Sequence, residues 1–204
     1  PYKAAPNNVK DFFRIGSVIN TSLNVAGGSD DGNTNFNINF GNLSDEGFTP
    51  GNKLKRTSFS LGGRSKLSNK FTVSGTMNFS KTDFLTPPVA RSNGSCVQGG
   101  GLSIYADVFY TPRNVDLQNW PYQHPITGAN LSYRSGNDIL NPYWTLNNSF
   151  VNQVTNRTFG NAALTYDLND NIKLNYRVGY DFYNERNTVA TNIGAPRGPV
   201  QGSL

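Results

Sequence analysis

The chain has 204 residues, 36% of them hydrophobic and 12% aromatic, with a formal net charge of +5 and a mean hydropathy of −0.51. No apolar run approaches the about 18 residues of a transmembrane helix. A single cysteine, Cys96, and a single histidine, His124, argue against a disulfide framework, a zinc-type site and Ser/His or Cys/His catalysis.

In chain order, the first signal is a strict alternation. Ile19, Thr21, Leu23 and Val25 interleave with Asn20, Ser22 and Asn24. A short Gly/Asp/Asn-rich connection over 27–33 leads to Phe36, Ile38 and Phe40, interleaved with Asn35, Asn37 and Asn39. After a longer connection over 44–55, Phe59 and Leu61 alternate with Arg56, Ser58, Ser60, Arg64 and Lys66. The tight polar turn Leu67-Ser68-Asn69-Lys70 precedes Phe71, Val73, Gly75, Met77 and Phe79, whose partners of opposite parity are Thr72, Ser74, Thr76, Asn78 and Ser80. A long stretch, 85–155, separates these from Ala162, Leu164, Tyr166 and Leu168, interleaved with Asn161, Thr165 and Asp167. The turn Leu168-Asn169-Asp170-Asn171 then opens the last run: Ile172, Leu174, Tyr176, Val178, Tyr180 and Phe182 against Lys173, Asn175, Arg177 and Asp181.

Side chains of a strand alternate between faces, so each run has one apolar and one polar face. The apolar registers hold no charge until Lys81 and Arg186, which the pattern places beyond the strand ends. Arg or Lys facing lipid at mid-bilayer costs roughly 2 to 4 kcal/mol, which accounts for that avoidance. Phe71 to Phe79 spans about 20 Å along the membrane normal at a tilt near 40°, close to the height of an apolar band. A soluble sandwich also alternates, but with strands of about 5 to 6 residues. The expected fold is therefore all-β: an antiparallel transmembrane β-barrel segment, about six strands of a larger barrel, with long extracellular loops. Residues 1–204 form part of one barrel domain, and 85–155 is the long extracellular loop region. Short turns at one end and long loops at the other give the orientation, with Pro1 on the extracellular side and the first strand descending.

Opposite parity puts Phe36, Ile38, Phe40, Phe71, Val73, Met77, Leu164, Tyr166, Leu174 and Val178 toward lipid, and Arg64, Lys66, Lys173, Arg177 and Asp181 toward the lumen. A lumen lined with Arg and Lys accounts for the positive charge better than nucleic acid does, because the basic residues form no cluster or nucleic-acid-binding signature. Gly27-Gly28 and Gly99-Gly100-Gly101 lack the strand-loop-helix context of a phosphate site. Asn93-Gly94-Ser95 is a sequon of the kind expected by chance in so Asn-rich a chain, and it carries no weight.

The long loop bears Pro87-Pro88, Trp120-Pro121-Tyr122, His124-Pro125 and Asn141-Pro142-Tyr143-Trp144, read as a rigid, irregular, aromatic surface. Rings beside Asn and Gln suit stacking on sugars or holding a peptide; packing of the loop against the barrel is the plainer role for any single ring. Trp120, Tyr122, Tyr143 and Trp144 are the ligand-contact candidates, joined from the lumen by Arg64, Arg177 and Asp181.

Asn8-Val9-Lys10-Asp11-Phe12-Phe13 followed by Gly16, the strand ending Ala26-Gly27-Gly28, Glu46-Gly47, Lys55-Arg56-Thr57-Ser58-Phe59 and Asn141-Pro142-Tyr143-Trp144 together resemble the early barrel of SusC/RagA-type TonB-dependent transporters. Leu164-Thr165-Tyr166-Asp167-Leu168, Ile172-Lys173-Leu174 and Arg177-Val178-Gly179-Tyr180-Asp181 are similar to the same family. The resemblance implies a barrel of about 22 strands with an internal plug, an N-terminal segment that engages the TonB complex, and a SusD-like surface lipoprotein as lid. This chain would cover approximately the second to the seventh strand. The implied function is import of oligosaccharides or peptides across the outer membrane of a Gram-negative bacterium, by a multi-pass barrel surrounded by outer-membrane lipid, with no cofactor and no metal.

Two rivals share parts of the pattern: a soluble or surface-attached glycan-binding β-protein, and a passive porin. An enzyme is the least expected class. Asp30 with Asp31, and Asp45 with Glu46, are neighbours in polar turns, whereas a glycosidase holds its carboxyls across a substrate at about 5 to 9.5 Å.

Overall fold

Antiparallel pairing keeps like faces together when neighbouring strands are in register, so alternation along one strand becomes a two-faced sheet. The computed structural model describes residues 3–88, 103–133 and 140–194. Within them one antiparallel sheet runs β1-β2-β3-β4-β5-β6 in chain order. The strands are β1 (Ser17–Gly28), β2 (Thr34–Glu46), β3 (Lys53–Ser68), β4 (Phe71–Thr86), β5 (Ser149–Asn169) and β6 (Ile172–Thr191).

Register confirms the parity on every strand. One row across the sheet is Val25, Ile38, Leu61, Met77, Gly160, Tyr180, and the next is Leu23, Phe40, Phe59, Phe79, Thr158, Phe182. The opposite face carries the row Asn24, Asn39, Ser60, Asn78, Phe159, Asp181. No second sheet among the described residues covers the apolar face, where Tyr176 is 70% and Phe182 64% exposed. That arrangement departs from a sandwich, whose apolar faces are buried against each other.

The strands outrun the apolar band. β4 continues through Lys81 to Thr86 and β6 through Arg186 to Thr191, so these charges lie within strands and not beyond their ends. At ~3.3 Å per residue and a tilt near 40°, the 16 residues of β4 reach about 38 Å along the barrel axis, well past an apolar band of about 25 Å. Above that band the formerly apolar face turns polar: Lys55 lies opposite Asp83, which accepts a hydrogen bond from Asn152 Nδ2 at 2.8 Å.

The connections are asymmetric, as expected. Residues 29–33, 69–70 and 170–171 join strands at one end, and 47–52 and 87–148 join them at the other. The second connection is thus shorter than the stretch 44–55. The long one is narrower than 85–155, because residues 85–86 and 149–155 belong to β4 and β5. In the first turn Asp31 accepts hydrogen bonds from the Ser29 hydroxyl, and from Asn33 N at 3.0 Å and Nδ2 at 2.6 Å, which hold its carboxyl down to about 2. Cys96, Gly99-Gly100-Gly101 and the sequon at Asn93 lie outside the described residues.

The long loop is more regular than its composition implies. It contains α2 (Ile104–Tyr110) and α3 (Pro142–Asn148), and α1 (Asn8–Phe12) precedes β1. Ser103 caps α2 through the Ala106 N–H. Asn141 caps α3 through the Tyr143 N–H, with Pro142 in the first turn. The buried apolar core lies here, not in the sheet: Phe12, Ile104, Val108, Leu117, Leu140 and Trp144. Rings extend it, with Phe12 meeting Tyr143 edge-on at 5.3 Å and Phe13 lying 5.5 Å from Phe48.

Candidate functional site

Two groups of candidate residues stand apart: a polar wall on the sheet and a packed unit at the loop end. The wall is built by side chains of one parity, so amides and hydroxyls from all six strands share a surface. Asn39 Nδ2 donates to Ser60 Oγ at 3.0 Å, and Asn161 Nδ2 to Thr76 Oγ1 at 2.9 Å. Toward the loop end Arg157 grips Asp181 bidentately, Nε to Oδ1 at 3.0 Å and Nη2 to Oδ2 at 2.6 Å. Its guanidinium also lies 4.9 Å from the centre of the Phe159 ring. Glu185 accepts from the Tyr183 hydroxyl and from Asn187 Nδ2 at 2.6 Å. Arg157 and Phe159 escaped the sequence reading, which began the fifth run at Asn161; extending its parity back four residues finds both.

Arg64, Arg177 and Asp181 therefore all lie on the polar face. Asp181 is neutralised by Arg157, while Arg64 and Arg177 are exposed.

The loop unit gathers three chain excursions. Asn8, buried ahead of β1, donates Nδ2 to the Val115 carbonyl at 2.6 Å and accepts from Leu117 N at 3.1 Å. The 47–52 connection joins through a 2.9 Å contact between the Thr49 and Tyr105 hydroxyls. Arg14 fastens the same connection, donating Nη1 to Glu46 at 3.1 Å and Nε to the Gly47 carbonyl at 3.0 Å. His124 caps a turn: its Nδ1 accepts from the Ile126 and Thr127 N–H groups, both at 3.2 Å.

The four aromatic candidates divide. Trp120 and Tyr122 present 41% and 37% of their surface to solvent. Tyr143 is half-buried and donates its hydroxyl to Gln118 Oε1 at 2.7 Å, and burial raises its ionisation above the usual phenol range. Trp144 has no accessible surface and donates Nε1–H to the Gly128 carbonyl at 2.9 Å. A ring sealed on every side offers no contact to a ligand, so Trp144 holds the unit together instead.

Asp107, which the sequence reading passed over, is buried on α2. It accepts from Leu140 N at 3.2 Å and the Thr145 hydroxyl at 3.4 Å, and burial pushes its carboxyl up to about 7 despite both bonds. Its only sequence signal is its place between Ile104 and Val108, an i, i+4 apolar pair that marks one helix face as buried.

A further feature lies on the apolar face: an open recess of about 570 Å³ bounded by Phe71, Leu164, Tyr166, Leu174 and Tyr176. In a barrel wall that side meets lipid, so the recess is separate from the polar surface. Among the described residues, no group of three or more His, Cys, Asp or Glu is placed to hold a metal ion.

These features define a class: the wall of an antiparallel β-barrel, apolar outside and polar inside, with a packed loop unit at one rim. Among solved structures the chain is similar to the RagAB peptide importer in its "closed-closed" state, with a TM-score of 0.67 at 17% identity over 92% of this chain. It is also similar to a second structure, of the RagAB peptide transporter, with a TM-score of 0.66 at 17% identity over 91%. The match shows the shared fold, and this chain spans 20% of the length of either matched chain. No family model and no curated protein matches the sequence.

Proposed function

We propose that the chain is part of the barrel wall of an outer-membrane nutrient importer of the SusC/RagA kind, energised through TonB and lidded by a SusD-like surface lipoprotein. The observation that carries this reading is the continuous two-faced sheet with a packed rim at one end only, in the fold of the RagAB peptide importer. That the similar structures are of a peptide importer supports peptides over oligosaccharides as the substrate in this reading. Such a wall needs no covalent chemistry: amides, hydroxyls and charges hold and release the cargo, while the loop unit shapes the entrance. The unbalanced edges of β1 and β6 fit the same reading, since unpaired backbone groups in lipid cost several kcal/mol and barrels close to remove them.

The test is fractionation and transport with the full-length protein. Heat-modifiable migration in the outer-membrane fraction, and loss of peptide uptake on gene deletion, are the expected results. A water-soluble monomer would overturn the barrel reading, and unchanged uptake of peptides and oligosaccharides would overturn the importer reading.

A further inference from the structure

We infer that Lys81, Arg186 and the amides of Asn156 and Asn184 between them form a seat for the phosphate groups of a lipid headgroup, on the outer face of the wall just beyond the apolar band. This rests on the barrel part of the proposed function and adds a partner that neither lumen nor cargo involves. On the outward register the row Phe40, Phe59, Phe79, Thr158, Phe182 closes the band at the long-loop end. The next row is Thr21, Asn42, Thr57, Lys81, Asn156, Asn184, and the one after it Ile19, Ser44, Lys55, Asp83, Val154, Arg186. Two strand spacings, about 10 Å, separate Lys81 from Asn184, and Arg186 stands about 7 Å further along β6.

What marks this patch is that outward charge lies at one end of the wall only. On the strands, the outward register carries Lys53, Lys55, Lys81 and Arg186 against Glu46 and Asp83, all beyond the phenylalanine row. At the short-turn end the same register runs out through Phe71, Tyr166 and Leu174 and carries no charge. Lys53 is taken up by Glu46 at 3.2 Å, and Lys55 stands opposite Asp83. Lys81 lies between Thr57 and Asn156, and Arg186 opposite Val154; both cations are exposed, with no carboxylate partner among the described residues. The lumen, and whatever fills it, is on the other side of the sheet, so this face meets the membrane.

The surroundings select the ligand. Long cationic side chains rooted at the edge of an apolar surface reach toward the headgroups, and basic residues beside one leaflet attract anionic lipid. Arg186 offers a fork of donors to phosphate oxygens, Lys81 a point charge, and the two asparagines amide N–H groups. The acyl chains continue over Phe79, Thr158 and Phe182, of which both rings are exposed. A zwitterionic headgroup would bring as much positive charge as negative and leave the two cations unmatched.

The test uses full-length protein in detergent with lipid A, against lipid A stripped of its phosphates. The phosphorylated lipid should bind about tenfold more tightly at low salt, with the preference fading at high salt. Lys81→Gln with Arg186→Gln should abolish the preference while heat-modifiable migration persists. Lys81→Arg with Arg186→Lys, which keeps both charges, should retain it. So should Arg56→Gln, which removes an equally exposed cation from the lumenal face. Equal binding of the two lipids, a preference that survives the double Gln variant, or its loss in Arg56→Gln overturns the inference. Displacement of the lipid by inorganic phosphate at equal concentration overturns it as well, by making the seat a free-anion site. A changed oligomeric state or failed assembly in the double Gln variant does so too, by assigning the cations to a protein contact. A parent protein without heat-modifiable migration defeats the barrel reading before lipid is added, and absent peptide uptake counts against the importer reading alone.

Discussion

The indole of Trp144 donates its Nε1–H to the carbonyl of Gly128 at 2.9 Å, tying helix α3 to the turn that follows His124. Gly128 sits at φ +71°, and Trp144 has no accessible surface. Trp144→Ala should therefore destabilise the loop unit by about 3 to 5 kcal/mol. Trp144→Phe should keep part of the packing, but it leaves the Gly128 carbonyl without its indole donor, adding about 1 kcal/mol to the cost of the smaller ring. Trp120→Ala, at an exposed ring, should stay within about 0.5 kcal/mol. Pulse proteolysis of the loop in the full-length protein at increasing urea checks all three.

Asp107 makes the same unit sensitive to pH. Its folded carboxyl titrates at about 7, above the ordinary carboxylate value, so the folded state binds the proton more tightly. The stabilisation is present in full below about pH 4 and is lost as pH rises through about 7. Asp107→Asn imitates the protonated acid and keeps an oxygen for the Leu140 N–H. The variant should lose the pH dependence and exceed the parent at about pH 8 by on the order of 3 kcal/mol. Urea midpoints read by loop tryptophan fluorescence across that range decide it.

How far the structure could be read from the sequence follows from where burial imposes a period. From Phe71 to Phe79 one face must be apolar, so strand, register and turn were all legible. From Lys81 to Asp83 the same strand has left the apolar band and both faces are polar, and Phe84 and Leu85 then fall on opposite faces, so alternation carries no signal. The loop unit was hidden for another reason. Phe12, Leu117 and Trp144 come from distant segments, and helices of 5 and 7 residues are too short to show a helical period. The apolar pair Phe12-Phe13 and the Asn141-Pro142 helix start were visible, but their burial depends on partners that no local pattern names.

Gly160 lies between Met77 on β4 and Tyr180 on β6. A Cβ there would collide with the Thr76 carbonyl oxygen, come within 3.1 Å of the Tyr180 ring and within 3.2 Å of the Met77 backbone. Backbone cannot swing aside as a side chain can, so Gly160→Val should loosen the β4–β5 pairing by about 1 to 3 kcal/mol. Gly179, on the other face, has its nearest neighbour at 3.5 Å and should accept Ala far better. Folding yield into lipid vesicles, read as heat-modifiable migration, compares the two.

The two faces can be tested residue by residue. Val178 shares the apolar row of Phe36 and Ala162, and its neighbour Arg177 points the opposite way. Cysteine at Val178 should react with lipid-soluble probes in membranes, and cysteine at Arg177 with water-soluble probes alone. Val178→Arg should cost about 2 to 4 kcal/mol of barrel stability. Lipid-phase labelling at Arg177 with none at Val178 would invert the wall.

Of the four aromatic candidates, Trp120 and Tyr122 are the two left exposed to meet a ligand or the proposed lid. Their local structure rests on the main chain: Trp120 N donates to the Asp116 carbonyl at 2.9 Å, and the Tyr122 carbonyl accepts from Leu131 N at 3.0 Å. Replacing both with Ala therefore removes contact area while sparing these bonds. Exposed rings offer large contact surface at low entropic cost, and anchors of this kind carry on the order of 2 kcal/mol in interfaces. The double variant should bind peptide or lid protein about tenfold or more weakly, with heat-modifiable migration intact. Wild-type affinity for both, together with failed barrel assembly, would instead make these rings part of the scaffold, as Trp144 already is.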